Sequence, residues 1–111
     1  MKILQKDRKI FKNSYYRIRG DHMKAVISVI GKDNRGIVAK VSNECSKVNA
    51  NILEVSQNIM QEMFVMVMMI DIDEITINFN CFVDNMILFG EQNQLKIHVM
   101  HEDIFNSMHV I

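Results

Sequence analysis

The sequence predicts an α+β domain in which two helices lie on one face of a four-stranded antiparallel sheet, in the order strand, helix, strand, strand, helix, strand. Three observations predict it. Met63 to Ile70 is eight apolar residues in succession, a length and composition that suit a buried central strand. Two other segments, Ile37 to Val48 and Ile75 to Phe89, repeat apolar residues at helical spacing. The remaining apolar runs are short or alternating, and they fall so that the helices join strands as a split βαβ arrangement.

The first strand is Ala25 to Ile30, apolar at nearly every position, as expected where both faces are covered. Gly31-Lys32-Asp33-Asn34-Arg35-Gly36 follows, a six-residue connection bounded by glycines that free the backbone for positive φ and close approach. The first helix carries Ile37, Val41, Cys45 and Val48 on one face, with Lys40, Asn43, Glu44 and Lys47 turned outward. Asn49-Ala50-Asn51 breaks it. In the second strand, Ile52 to Met60, alternation sets Leu53, Val55 and Ile59 on one side and Glu54, Ser56 and Asn58 on the other. Gln61-Glu62 turns the chain into Met63 to Ile70. Ile75, Phe79, Phe82, Met86 and Phe89 then form the second helical stripe, which ends at Gly90; its start is ambiguous, because Ile75-Thr76-Ile77 could equally extend a strand. Leu95, Ile97 and Val99 give the fourth strand, and Ile104, Phe105 and Met108 a short amphipathic tail. With both helices on one face, the apolar residues of the first and third strands on the other face need a cover, either a second copy or the chain's own tail.

A chain of 111 residues is one domain by length. Its formal charge of zero is unevenly placed: residues 1 to 22 hold 7 basic and 2 acidic residues, and residues 23 to 111 hold 6 basic and 11 acidic. An acidic folded part argues against nucleic-acid binding. The first 22 residues show no sustained period, and their Arg19-Gly20 sits where purine-rich codons would precede the methionine codon of Met23. They are expected to be a basic extension, disordered or a mis-assigned start, ahead of a domain that begins at Met23. The sequence has no apolar run of membrane-spanning length and no secretory cleavage pattern. Two cysteines outside any metal-ligand spacing fit a reduced cytoplasmic protein. The ten methionines are expected mostly at core positions.

The motif Gly31-x-Asp33-x-x-Gly36-Ile37-Val38, the later Asn51-Ile52 and the order of elements resemble the ACT domain family. Residues 23 to 111 look like its small stand-alone UPF0237 members, also in Met23-Lys24-Ala25, Ser56-Gln57 and Phe89-Gly90. The resemblance implies a ferredoxin-like βαββαβ fold, pairing into homodimers, and an amino acid or similar small ligand at the interface between domains. It places that ligand on Asp33, Gly36 and Ile37 at the loop and helix start, and on Asn51, Ile52 and Leu53 at the head of the second strand. It implies regulation as the usual outcome; no enzyme, for want of candidate groups, and no cofactor are expected. ACT domains mostly regulate an enzyme fused to them; here the target would be a separate, unidentified protein. The alternative is a ligand-free module that only pairs with protein partners.

Physical chemistry agrees that the corner can receive an anion, because a helix N-terminus presents unsatisfied N–H donors and positive dipole. Asp33 and Asn51 have ordinary uses as well, in capping and turning. His98 and His101, three apart on a strand, face opposite sides and make no metal site. Cys45 belongs to the apolar stripe and has no base beside it, Ser42 and Ser56 are unsupported as nucleophiles, and no catalytic pattern is legible. Single-stranded RNA platforms place aromatics on their central strands, where this chain has Phe64 alone.

Overall fold

The computed structural model describes residues 23–32 and 35–108. The expected basic extension over residues 1–22, and Asp33 of the glycine loop, lie outside the described residues. The elements are β1 (Lys24–Gly31), α1 (Ile37–Lys47), β2 (Asn51–Met60), β3 (Met63–Asp71), α2 (Phe79–Gln92), β4 (Lys96–His101) and α3 (Glu102–Met108). The sheet has the order β2-β3-β1-β4, and all three pairings are antiparallel. This is the predicted fold, with the all-apolar segment as a central strand.

Register decides what each face holds. Ala25 stands opposite Ile70, Ile27 opposite Met68, and Val29 opposite Met66. These residues, with Ile97 of β4, Ile37, Val41 and Cys45 of α1, and Phe82 and Met86 of α2, form the core between sheet and helices. α1 lies toward the β2 side of the sheet and α2 toward the β4 side. Burying a side chain of Phe or Met size stabilises by roughly 1.5–3 kcal/mol, so this single layer supplies most of the driving force for folding.

Val26 points to the other face, and it is 1% exposed although it stands outside the core cluster. α3 touches β1 and β4, and none of its residues joins that cluster, which places it on the second face. The chain's own tail therefore covers one corner of that face. Val65, Val67 and Met69 remain half-buried there, and Ile30 is exposed.

Several expectations need correction. α2 begins at Phe79, where the Asn78 side chain accepts the Asn80 N–H at 2.8 Å; Ile75 and Ile77 pack on the core from the preceding turn. Nor does α2 stop at Gly90. It runs to Gln92, and Gly90 is small because the chain returns against it. Gly31 closes β1 in register with Phe64, so of the two loop glycines it is Gly36 that takes the left-handed backbone. In β2 a bulge between Ile52 and Glu54 breaks the alternation, leaving Leu53 out of step with Val55 and Ile59. Val55, Gln57 and Ile59 stand opposite Met68, Met66 and Phe64 on the helix side, yet the helices do not reach over them and all three are exposed. Of the methionines, Met66, Met68 and Met86 are in the core, whereas Met23, Met60 and Met108 are exposed.

Candidate functional site

The corner at the end of β1 is built by one glycine. Gly36 has φ 70 and ψ 8, a left-handed conformation that costs a residue with a Cβ roughly 1–2 kcal/mol. It turns the chain so that Ile37 drops into the core at 2% exposure and the Lys40 N–H bonds to the Gly36 carbonyl at 2.9 Å. Gly36 has no side chain to cap the helix, and the first turn of α1 carries no acidic residue. The positive end of the helix is thus not neutralised by its own first turn.

Beside this corner lies a groove of about 550 Å³ across the end of the sheet. Lys32 and Arg35 from the loop, Ile37 and Lys40 from α1, Met63 from β3, Leu95 from the α2–β4 turn and Lys96 from β4 line it, among others. Ile30 and Lys96 are partners in the β1–β4 ladder, which fixes Lys96 at the rim. Four of the six basic residues of 23–111 are thereby gathered in one place, and among the described residues no acidic one lines it. Arg35 is already engaged in an interaction. Lys32, Lys40 and Lys96 make no ion pair among the described residues.

The residues at the head of β2 are elsewhere. Asn51 pairs with Asp71, which in turn pairs with Lys24, at the far end of β1 from Gly31. Seven strand steps at about 3.3 Å separate the two ends, roughly 23 Å. Within one chain, then, Gly36 and Ile37 come together, Asn51, Ile52 and Leu53 come together, and the two groups stay apart. Asn51 is exposed, Ile52 packs on the core, and Leu53 is 44% exposed in the bulge. The turn ahead of β2 is made by Asn49, left-handed at φ 62, whose Nδ2 donates to the Glu74 carbonyl at 3.2 Å.

The other reactive groups are accounted for by packing. Cys45 is fully buried, and burial, helped by Glu44, pushes its thiol up to about 11. His98 stands opposite Ser28 and His101 opposite Ala25, so they face different sides of the sheet. The His101 ring stacks on Phe79 with centroids 4.2 Å apart. Among the described residues, no group of His, Cys, Asp or Glu is placed to hold a metal ion, and no helix is long and apolar enough to cross a membrane. Sequence reading missed the basic groove. Its signal was the scarcity of basic residues after Met23, but Lys32, Lys40 and Lys96 come from three segments that only the fold brings together.

A family model described as an ACT domain matches residues 24–100. A UPF0237 protein of Listeria innocua is 52% identical over 87 residues, covering 78% of this chain and 98% of the relative. One from Methanocaldococcus jannaschii is 42% identical over 88 residues, covering 79% and 98%. Among solved structures, an ACT domain protein from Streptococcus pneumoniae superposes with a TM-score of 0.69 at 35% identity, over 77% of this chain and 96% of that one.

Proposed function

The chain belongs to the ACT domain family, and from that premise we propose that it is a regulatory protein that binds an amino acid or similar small ligand at the interface of a homodimer, and acts on a separate target protein. The observation that carries this reading is the separation of the two halves of the site together with the state of β2. β2 is an edge strand of ten residues, exposed at every position except Ile52. An edge of that length with Leu53, Val55, Ile59 and Met60 exposed is a pairing surface.

Two copies related by a twofold axis pair such edges antiparallel, each strand's head against the other's tail. The head of β2 carries Asn51, Ile52 and Leu53. Its tail, Ile59 and Met60, lies at the Gly31 end, where Gly36 and Ile37 open α1. Pairing therefore brings the head of one chain toward the helix start of the other, and α1, which touches β2, flanks the seam. Charge favours the same arrangement. Asp71, Asp73 and Glu74 lie near the Asn51 end, opposite in sign to the groove at the other.

Energetics explains why one chain is not enough. A helix terminus contributes about 0.3–1 kcal/mol to holding a charge, up to about 2, and micromolar affinity needs about 8. Enclosure between chains supplies the difference. The test is a thermal-shift screen against amino acids with light scattering on the same sample. A dimer with a specific hit is expected, as is loss of both dimer and hit in Ile59→Lys; a dimer that no amino acid stabilises would leave a ligand-free pairing module.

A further inference from the structure

We infer that the basic groove takes a small molecule whose anionic group carries two charges, as a phosphate monoester does, with a short apolar portion beside it. This inference rests on the reading of the Gly36–Ile37 corner as the ligand's anion receptor, and it adds the class of ligand. A zwitterionic amino acid brings one carboxylate and its own ammonium. Such a group does not require three lysines, and its ammonium is repelled by them.

The groove differs from a generally basic surface in its setting. Residues 23–111 carry net charge −5, and four of their six basic residues line this one concavity. Lys32, Lys40 and Lys96 reach it from the loop, from α1 and from β4, so they approach an occupant from three directions. Clustering three like charges around a small concavity raises the free energy of the empty domain, and a doubly charged anion relieves that repulsion. The open first turn of α1 adds backbone donors, the usual partners of phosphate oxygens. Ile30, Met63 and Leu95 supply an apolar wall that no free inorganic ion would use. Lysine suits a phosphate as a compact point charge.

The experiment is calorimetric titration of the full 111-residue chain with O-phosphoserine, serine and inorganic phosphate, each at low and high salt. O-Phosphoserine is expected to bind at least tenfold more tightly than serine, to be displaced by inorganic phosphate, and to weaken as salt rises. Lys40→Gln and Lys96→Gln, checked for folding by circular dichroism, should each cost about tenfold toward O-phosphoserine and distinctly less toward serine, whose carboxylate carries a single charge. Serine binding as tightly as O-phosphoserine would overturn the inference while leaving the amino-acid reading in place. O-Phosphoserine and phosphate binding, with no binding of serine and no hit in the thermal-shift screen against amino acids, would uphold the groove and remove that reading. Unchanged O-phosphoserine affinity in both lysine variants would overturn the assignment to this groove, and no binding by any probe would overturn both proposals.

Discussion

Leu95 closes on Gly90 from two sides: its N–H donates to the Gly90 carbonyl at 2.8 Å, and its own carbonyl oxygen lies 2.7 Å from where a Gly90 Cβ would be. Ile97 side-chain atoms stand 3.1 and 3.3 Å from the same point. Alanine normally stabilises a helix relative to glycine by roughly 0.5–1 kcal/mol. Here the obstacle is backbone, which cannot swing aside. Gly90→Ala is expected to lose about 1–3 kcal/mol in urea unfolding, and a variant as stable as the parent would mean that the α2–β4 turn shifts freely.

Gly36 poses the opposite case. A Cβ there would meet nothing within 4 Å, so only the positive φ resists substitution. Gly36→Ala should cost about 1–2 kcal/mol, and Gly36→Asn distinctly less, since asparagine tolerates the left-handed region. Thermal unfolding of both variants distinguishes strain from clash, because a clash would penalise the larger asparagine more.

Gln61 and Glu62 both have positive φ, 52 and 69, in the two-residue turn between β2 and β3. That geometry matches a type I′ hairpin, for which Asn-Gly is the favoured pair. Replacing Gln61-Glu62 by Asn-Gly should raise stability by roughly 1 kcal/mol, through relief of left-handed strain. A chemical denaturation midpoint that falls would show the two side chains to be held by contacts worth more than the strain.

Cys45 links stability to alkaline pH. Its thiol is raised from 9.0 to about 11 by burial first and Glu44 second. The neutral thiol is favoured in the fold, so its contribution is present below pH 9 and is lost as the pH rises toward 11. Cys45→Ala should show a shallower decline over that window in pH-dependent unfolding. At neutral pH a thiol reagent should titrate the exposed Cys81 in the native protein and both cysteines only after denaturation.

What could be read from the sequence was what local periodicity encodes. The apolar run of β3 and the stripe Ile37, Val41, Cys45 lie where their spacing put them. The start of α2 was ambiguous because Ile75 and Ile77 are apolar for packing from an extended turn, a burial that imitates the helical stripe. Gly90 resembled a helix stop, since a close approach and a terminal cap call for the same residue. The candidate site was legible by halves: the Gly36–Ile37 corner and the head of β2 each follow from short motifs. Their distance apart depends on which end of β1 each one meets, and that is set by strand register. The basic groove was harder still, for Lys40 and Lys96 are far apart in sequence and become neighbours of one concavity only once the sheet has closed.

The bulge at Leu53 sets the phase of everything downstream in its strand. One residue more than the facing chain is spent there, and from Val55 to Met60 each side chain owes its face to that surplus. Deleting Leu53 would remove only that surplus: Ile52, Glu54 and Val55 already stand opposite Ile70, Met69 and Met68, so the strand would run on as a regular ladder with every face kept. Losing Ser56 instead would force a choice: either Gln57 and Ile59 exchange faces with Asn58 and Met60, or the bulge is consumed and Val55 exchanges faces with Glu54. The bulge thus makes the length of this edge forgiving at one point and strict beyond it.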